Sequence, residues 1–244
     1  MIRNVFIDLD DTLWDTFANN RRSLEMLYKE YLWSEYVPTF DQFFEVYYPN
    51  NELLWDDYRN DRITKEQLSY LRFARPFQHF SMPIAEESIA TLNRHFLDLS
   101  QHQTSLVDGA EELLQELKAK GYRVMIITNG FEEIQFNKMK NSGIDQYIDQ
   151  LFVSEKIGSH KPNIGFFHFA LTGSNSRRVE TVVIGDSLEA DIKGADNARL
   201  HSIWFNPQGK SLTITITFSS PLVVHSLKEV PKASEQINYS PKSV

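Results

Sequence analysis

Four short stretches of the 244-residue chain gather the residues capable of chemistry: Asp8-Leu9-Asp10, Thr128-Asn129-Gly130, His160-Lys161-Pro162, and Gly185-Asp186-Ser187 with Asp191 just beyond. Were a fold to bring them together, the carboxylates would repel. Two carboxylates about 4 Å apart repel by about 4 kcal/mol at an effective dielectric of about 20. Asp8, Asp10 and Asp186, left unneutralised, would consume much of a folding stability of roughly 5–15 kcal/mol. A cation resolves this. Oxygen ligands without His or Cys favour a hard ion, and few carboxylates completed by water and phosphate oxygens suit Mg²⁺. Lys161 supplies a second positive charge. Thr128 and the backbone N–H groups of Asn129 and Gly130 supply neutral donors for anionic oxygens. Such a set is built to receive a phosphoryl group.

Each stretch follows an apolar segment. Val5-Phe6-Ile7 lies in a strand expected over residues 3–9. Further strands are expected over residues 122–128, 151–154, 181–185 and 202–205. Near-continuous apolar runs mark strands buried on both faces. Helical patterns separate them. Leu113, Leu114 and Leu117 follow an Asp108/Glu111 capping box, and another helix runs from about Phe131 to Gly143. Pro162 opens a helix carrying Phe167 and Leu171, and a last one lies near residues 188–198. Strands alternating with helices imply right-handed crossovers and a parallel sheet. Open α/β sheets bind ligands outside the carboxyl ends of their strands, and there the four stretches converge.

Residues 16–100 carry no strand pattern of any length. Phe17, Leu24, Leu27, Tyr28, Tyr31 and Leu32 form one helical stripe, ended by Pro38. A second helix is expected near residues 39–48, stopped by Pro49. Thr64 and Gln67 read as a capping box, and Ala85, Ile89, Leu92 and Phe96 mark another helix. The expected fold class is therefore α/β: a doubly wound, Rossmann-like parallel-sheet core with an all-helical cap inserted after the first strand. The core spans residues 1–15 and 101–231, the cap 16–100, and a polar, frayed tail 232–244. Residues 212–218 alternate Ile with Thr and suggest a half-exposed strand.

A net charge of −8 argues against a nucleic acid polymer as partner. The absence of cysteine excludes disulfides, thiolate catalysis and cysteine metal sites. Asp8, Asp10 and Asp11 interrupt the N-terminal apolar run before a signal-peptide core forms, and no run reaches membrane-spanning length. A cytoplasmic protein without membrane partners, monomer or homodimer, is expected. Asn238-Tyr239-Ser240 matches a glycosylation sequon by chance.

The set Asp8-Leu-Asp10-Asp11-Thr12, Thr128-Asn129-Gly130, Lys161-Pro162 and Gly185-Asp186-Ser187 through Asp191 resembles, in order and spacing, the four motifs of the haloacid-dehalogenase-like (HAD-like) hydrolase superfamily. The likeness runs from Val5 to Pro207, and the helical insertion matches that superfamily's cap. The wording from Thr128 to Gln135, Lys138 to Gly143, and Phe152 to Glu155 is similar to a bacterial subgroup of pyrimidine 5′-nucleotidases that clear noncanonical nucleotides. The resemblance implies a Mg²⁺-dependent phosphomonoesterase acting on a small phosphorylated metabolite, a nucleotide. It makes Asp8 the nucleophile and Asp10 the general acid and then base. Asp8, the backbone carbonyl of Asp10 and Asp186 would hold Mg²⁺. Thr128, Asn129, Gly130 and Lys161 would bind the phosphoryl group, with Asp191 supporting Lys161 or the ion's waters. Arg199 departs from the pattern, which leads one to expect glycine there.

Other readings compete. An EF-hand loop from Asp8 fails, because Leu13 stands where Gly is needed and Asn19 where Glu is needed. Asp11 reads as a turn residue. Trp14, Phe17, Trp33, Trp55 and Tyr58 are candidates for stacking on a base but more often belong to a core. The histidines show no metal spacing. A sugar-phosphate phosphatase shares every motif. A 2-haloacid dehalogenase needs neither metal nor Asp10 with Asp186, and a sugar-phosphate mutase needs a second hydroxyl to accept the phosphoryl group. A phospho-accepting receiver domain is about half this length and lacks the cap.

Overall fold

The computed structural model describes residues 1–83 and 85–239. Two compact units divide the chain, one of residues Met1–Thr16 with everything from Thr104 onward, the other Phe17–Gln103.

The first unit is a parallel sheet of six strands. They are β1 (Asn4–Ile7), β2 (Arg123–Thr128), β3 (Gln150–Val153), β4 (Thr181–Gly185), β5 (His201–Phe205) and β6 (Leu222–Val224), in the order β3-β2-β1-β4-β5-β6. β1 is central: Val5 pairs in register with Val124 on one side and Val182 on the other. The chain winds outward from it in both directions, which makes the carboxyl end of β1 the switch point where such sheets leave a crevice.

The weak alternation of these strands has a direct cause. Val5 and Ile7, Val124 and Ile126, and Val182 and Ile184 all enter one core cluster with Leu113, Leu114 and Leu117. Their neighbours Phe6, Met125, Ile127 and Val183 enter a second, with Phe166 and Phe167. Successive side chains still point to opposite faces, but both faces are apolar.

The second unit is all helix. It comprises nearly all of α1 (Thr16–Glu30), with α2 (Phe40–Arg59), α3 (Lys65–His79) and α4 (Glu86–Gln101), packed on an aromatic-rich core. Thr64 and Gln67 form the expected reciprocal cap on α3. α2 does not stop at Pro49 as expected but runs ten residues past it. Pro49 and Glu45, whose carbonyl would have accepted the missing N–H, both face solvent. Phe43, Phe44 and Tyr47 before it and Leu54 and Tyr58 after it stay buried, so packing holds both halves. Of the candidate stacking aromatics, Trp14, Trp33 and Tyr58 are core residues. Phe17 is 45% exposed and Trp55 half-buried.

The remaining helices of the first unit are α5 (Ala110–Ala119), α6 (Glu132–Asn141), α7 (Ser154–Ile157), α8 (Ile164–Gly173), α9 (Gly194–Asn197) and α10 (Val230–Tyr239). Two expectations about these helices fail. α5 is entered through Gly109 at φ 82°, with no side-chain cap, and Asp108 pairs instead with Lys228 at 3.0 Å. The 232–244 tail is not frayed through residue 239. α10 places Val230 and Ala233 in the core with Ile237 against it, an i, i+3, i+7 stripe hidden in a polar composition. Asn238 of the sequon accepts from Ile2 N at 2.5 Å, while residues 240–244 lie outside the described range.

Residues 212–218 form no strand. β6 takes the sheet edge instead, and Asp196 ties the segment down. Its buried carboxylate accepts from Thr217 N at 2.9 Å, Thr217 Oγ1 at 3.0 Å and Phe218 N at 2.6 Å. A carboxylate that satisfies two backbone donors replaces the ladder a strand would have needed. Asp196→Ala is expected to lower stability by about 1–3 kcal/mol in urea unfolding, with new proteolytic cleavage confined to residues 208–221. Unchanged cleavage would show that the segment is held by something else.

Arg199 adopts φ 56°, the left-handed conformation that glycine holds without a Cβ penalty, so the expected glycine and the observed arginine meet the same turn. No helix among the described residues is long and apolar enough to cross a membrane.

Candidate active site

Asp8 directly follows β1 and continues its ladder, donating its N–H to Ile184 O at 2.9 Å. The chain then turns sharply. Asp11 sits at φ 62°, and its N–H donates to Trp14 O and Thr16 Oγ1. Asp11 is thus a turn residue, as expected, although its charge is felt at Asp186. Thr12, wholly buried, donates to Asp186 Oδ1 at 3.0 Å and accepts from Asp186 N at 3.1 Å. It links the loops after β1 and β4, a role that its place in the first motif does not announce.

Lys161 is 2% exposed, and its ammonium makes three hydrogen bonds: Asp8 Oδ1 at 2.7 Å, Asp191 Oδ1 at 2.6 Å and Ile127 O at 3.0 Å. Three donors are all an ammonium has. The loop that carries it is held by Asn129, whose amide bonds both Lys161 N and Lys161 O at 2.9 Å, across a cis Lys161-Pro162 peptide. Asn129's side chain is therefore a strut. Gly130 N–H is not free for an anionic oxygen, as had been expected, because it donates to Thr128 Oγ1 at 2.9 Å.

Asp191 lies on a π-helical turn, Leu188–Lys193, where the wider winding brings its carboxylate back over the strand end. Gly185 leaves it room: a Cβ there would fall 2.2 Å from Asp191 Oδ2. Asp8, Asp186 and Asp191 each offer an oxygen within 4.8 Å of the others. Asp10 is not in this triad. Its carboxylate turns to Lys138 Nζ at 2.6 Å, Gln135 Nε2 at 2.7 Å and Thr16 Oγ1 at 3.4 Å, which leaves only its backbone carbonyl for the cation role expected of it. Thr12, Thr16, Gln135 and Lys138 went unassigned in the sequence. The available signal was Gln135 and Lys138 three residues apart, both buried on the helix that follows Thr128-Asn129-Gly130.

The electrostatics of the two ends differ. Burial pushes Asp186 up to about 8, with Asp11 and Asp191 adding to it against Thr12 and Lys161. Asp8 is likewise raised well above the usual carboxylate range, by burial first and by Asp191 and Asp186, against the pull of Lys161. Burial is also the largest influence on Lys161 and opposes its charge, but Asp191 and Asp8 outweigh it and hold the proton on. At Asp10, burial works upward, but Lys138, Gln135 and Thr16 bring the carboxyl below its ordinary value.

These residues fit a hard dication. Three clustered carboxylates face one ammonium, every donor is oxygen, and two of the acids are costly to ionise without more positive charge.

The same architecture occurs in known proteins. The chain is 33% identical over 204 residues to the pyrimidine 5′-nucleotidase PynA of Streptococcus pneumoniae, covering 83% of each. It is 31% identical over 223 residues to the pyrimidine 5′-nucleotidase YjjG of Escherichia coli, covering 87% of this chain and 92% of that one. The crystal structure of the HAD-hydrolase YfnB of Bacillus subtilis bound to magnesium superposes with a TM-score of 0.83 at 26% identity, over 97% of this chain and 99% of that one. The model of the haloacid dehalogenase-like hydrolases matches residues 5–205, a span that holds the four motif loops, the acidic triad and all of the sheet except Asn4 and β6, and the chain belongs to that family.

Proposed function

We propose that the protein is a Mg²⁺-dependent phosphomonoesterase, acting in the cytoplasm, that hydrolyses pyrimidine nucleoside 5′-monophosphates to nucleoside and phosphate. The observation that carries this reading is the buried ammonium of Lys161 set between Asp8 and Asp191, with Asp186 alongside. That arrangement presents a carboxylate nucleophile in a site suited to offsetting a phosphate's charge. The names of PynA and YjjG support the nucleotide part of the reading.

In this mechanism a carboxylate oxygen of Asp8 attacks phosphorus. The bond from phosphorus to the leaving oxygen breaks, Asp10, having first taken up a proton against the pull of Lys138, gives it to that oxygen, and Asp8 is left phosphorylated. Asp10 then takes a proton from water as the water oxygen attacks phosphorus, and the bond to Asp8 breaks. Thr128 holds one phosphoryl oxygen, Lys161 holds another with the N–H it gives up from Asp8 as that carboxylate attacks, and Asp191 keeps Lys161 charged and in place. Asp8, Asp186 and the Asp10 carbonyl would hold Mg²⁺, which when bound would offset the phosphate's negative charge so that a carboxylate can approach it.

Phosphate release from a panel of pyrimidine and purine monophosphates and sugar phosphates, with and without Mg²⁺, tests this. Pyrimidine monophosphates are expected to lead in kcat/KM by about tenfold, one such step being worth about 1.4 kcal/mol of transition-state binding. A sugar phosphate in the lead overturns the substrate. Halide release without Mg²⁺, a requirement for a bisphosphate, or a phosphoprotein stable for many minutes would overturn the reaction.

A further inference from the structure

The α6 pair Gln135 and Lys138 has no part in the reaction as written, yet it touches both polar groups that do the work on either side of phosphorus. Gln135 is wholly buried. Its single amide nitrogen donates to Asp10 Oδ2 at 2.7 Å and to Thr128 Oγ1 at 2.6 Å. Thr128 Oγ1 also accepts from Gly130 N at 2.9 Å. A hydroxyl oxygen has two acceptor positions, and both are now filled. Its own proton is what Thr128 has left to give, and it can only be given to an acceptor such as a phosphoryl oxygen.

Two further features belong to this amide. Gln135 Oε1 is buried with no hydrogen-bond partner among the described residues, a state that costs about 1–3 kcal/mol. Turning the amide over would set that oxygen against the Asp10 carboxylate, so the orientation is imposed by Asp10 and Thr128. Second, a Cβ at position 130 would fall 1.9 Å from Gln135 Nε2 and 3.0 Å from Asp10 Oδ2. Residue 130 is glycine because the amide occupies that space. Lys138 closes the other side, with its ammonium 2.6 Å from Asp10 Oδ1 and 4.1 Å from the centre of the Trp14 ring. The ring and the ion pair together fix where the ammonium stands.

We propose that Gln135 and Lys138 are positioning residues that set the Asp10 carboxyl and the Thr128 hydroxyl in register with one another across the reacting phosphoryl group. The inference rests on the role given above to Asp10 as the group that protonates the leaving oxygen. It holds for any alkyl phosphomonoester and does not depend on the base.

The test compares two substrates of different leaving-group demand. An alkyl phosphate needs a proton delivered to its leaving oxygen, whereas p-nitrophenyl phosphate releases an anion stable enough to depart with little help. Gln135→Leu and Lys138→Met are measured beside Asp10→Asn, which sets the scale. Each positioning variant is expected to lose about 10²-fold in kcat on the alkyl substrate. The loss on p-nitrophenyl phosphate is expected to be at least about tenfold smaller, with KM changed little on either. Lys138→Arg, which keeps the charge, is expected to recover part of the alkyl activity. A variant that merely lowers the folded fraction loses equally on both substrates, and that equality, or undiminished activity, overturns the inference. Should Gln135→Leu fail to fold, Lys138→Met carries the same comparison. Equal losses in Asp10→Asn itself would instead overturn the reading of Asp10, so the two failures are told apart.

Discussion

Asp8→Asn is expected to abolish phosphate release, lowering kcat by on the order of 10⁴-fold or more, while the protein remains folded. The substitution keeps the shape of the side chain and an oxygen that can still accept from Lys161, now 2.7 Å from Asp8 Oδ1. What it removes is the charge and the nucleophile. Asp191 stays 2.6 Å from Lys161 Nζ and is enough to keep that ammonium paired. Without metal, the variant should be more stable to heat than the wild type, because one of three crowded carboxylates has gone. Lost activity with raised metal-free stability separates a nucleophile from a structural partner of Lys161. Near-normal turnover by a folded Asp8→Asn protein would remove Asp8 from the chemistry.

The second large effect is that of Mg²⁺, and it depends on pH. EDTA is expected to abolish turnover, and added Mg²⁺ to restore it. Asp186 titrates near 8 in the metal-free fold, against about 3.9 in an unfolded chain. Between those values the folded state binds more protons than the unfolded one, so metal-free stability falls as pH rises from about 4 to 8. Mg²⁺ requires the ionised form, so its binding releases that proton. Its apparent affinity should tighten by at least about tenfold per pH unit between pH 6 and 7, since Asp8 is raised as well, and level off once both acids are ionised. At a Mg²⁺ concentration about 100 times its Kd, the gain in stability is about 2.7 kcal/mol. Thermal unfolding with EDTA and with a fixed Mg²⁺ concentration, at pH 6 and pH 8, reads this directly. The stabilisation by Mg²⁺ should be larger at pH 8. A shift that does not change with pH would mean that Asp186 gives up no proton when the ion binds.

Both effects come from burial acting on ordinary side chains. A lysine alone in so closed a place would give up its proton, and an aspartate alone would keep one. Three carboxylates around one lysine settle the lysine but not themselves. With Asp8 and Asp186 both costly to ionise, the site is suited to receive positive charge.

Much of this was legible in the chain itself. An apolar run that ends in acids reads as a strand delivering those acids to the carboxyl end of a sheet, because the run must be buried and the acids must not be left there unpaired. Five apolar runs separated by helical patterns allow little besides a parallel α/β sheet, and an uninterrupted helical stretch from residue 16 to 100 allows little besides a separate helical unit. Asp8, Thr128 and Asp186 follow from that logic, since each stands at or next to a strand end, whereas Lys161 lies beyond α7 in the loop after β3.

Tertiary structure decided the rest, wherever a residue's role depends on what comes to meet it from far along the chain. No local rule says that Asn129 will brace Lys161, that Thr12 will bind Asp186, or that Asp196 will hold Thr217 and Phe218 in place of a strand. Val230, Ala233 and Ile237 show the same limit from the apolar side: three residues make a helix worth burying only when a sheet face waits for them. Asp10 shows it most sharply. Its sequence places it two residues from Asp8, in the same acidic knot, but the fold turns its carboxylate away from the acids and onto Gln135 and Lys138. Position along a strand end is a local property and can be read from residue types; the partners that give each carboxylate its charge state arrive through space, and only packing selects them.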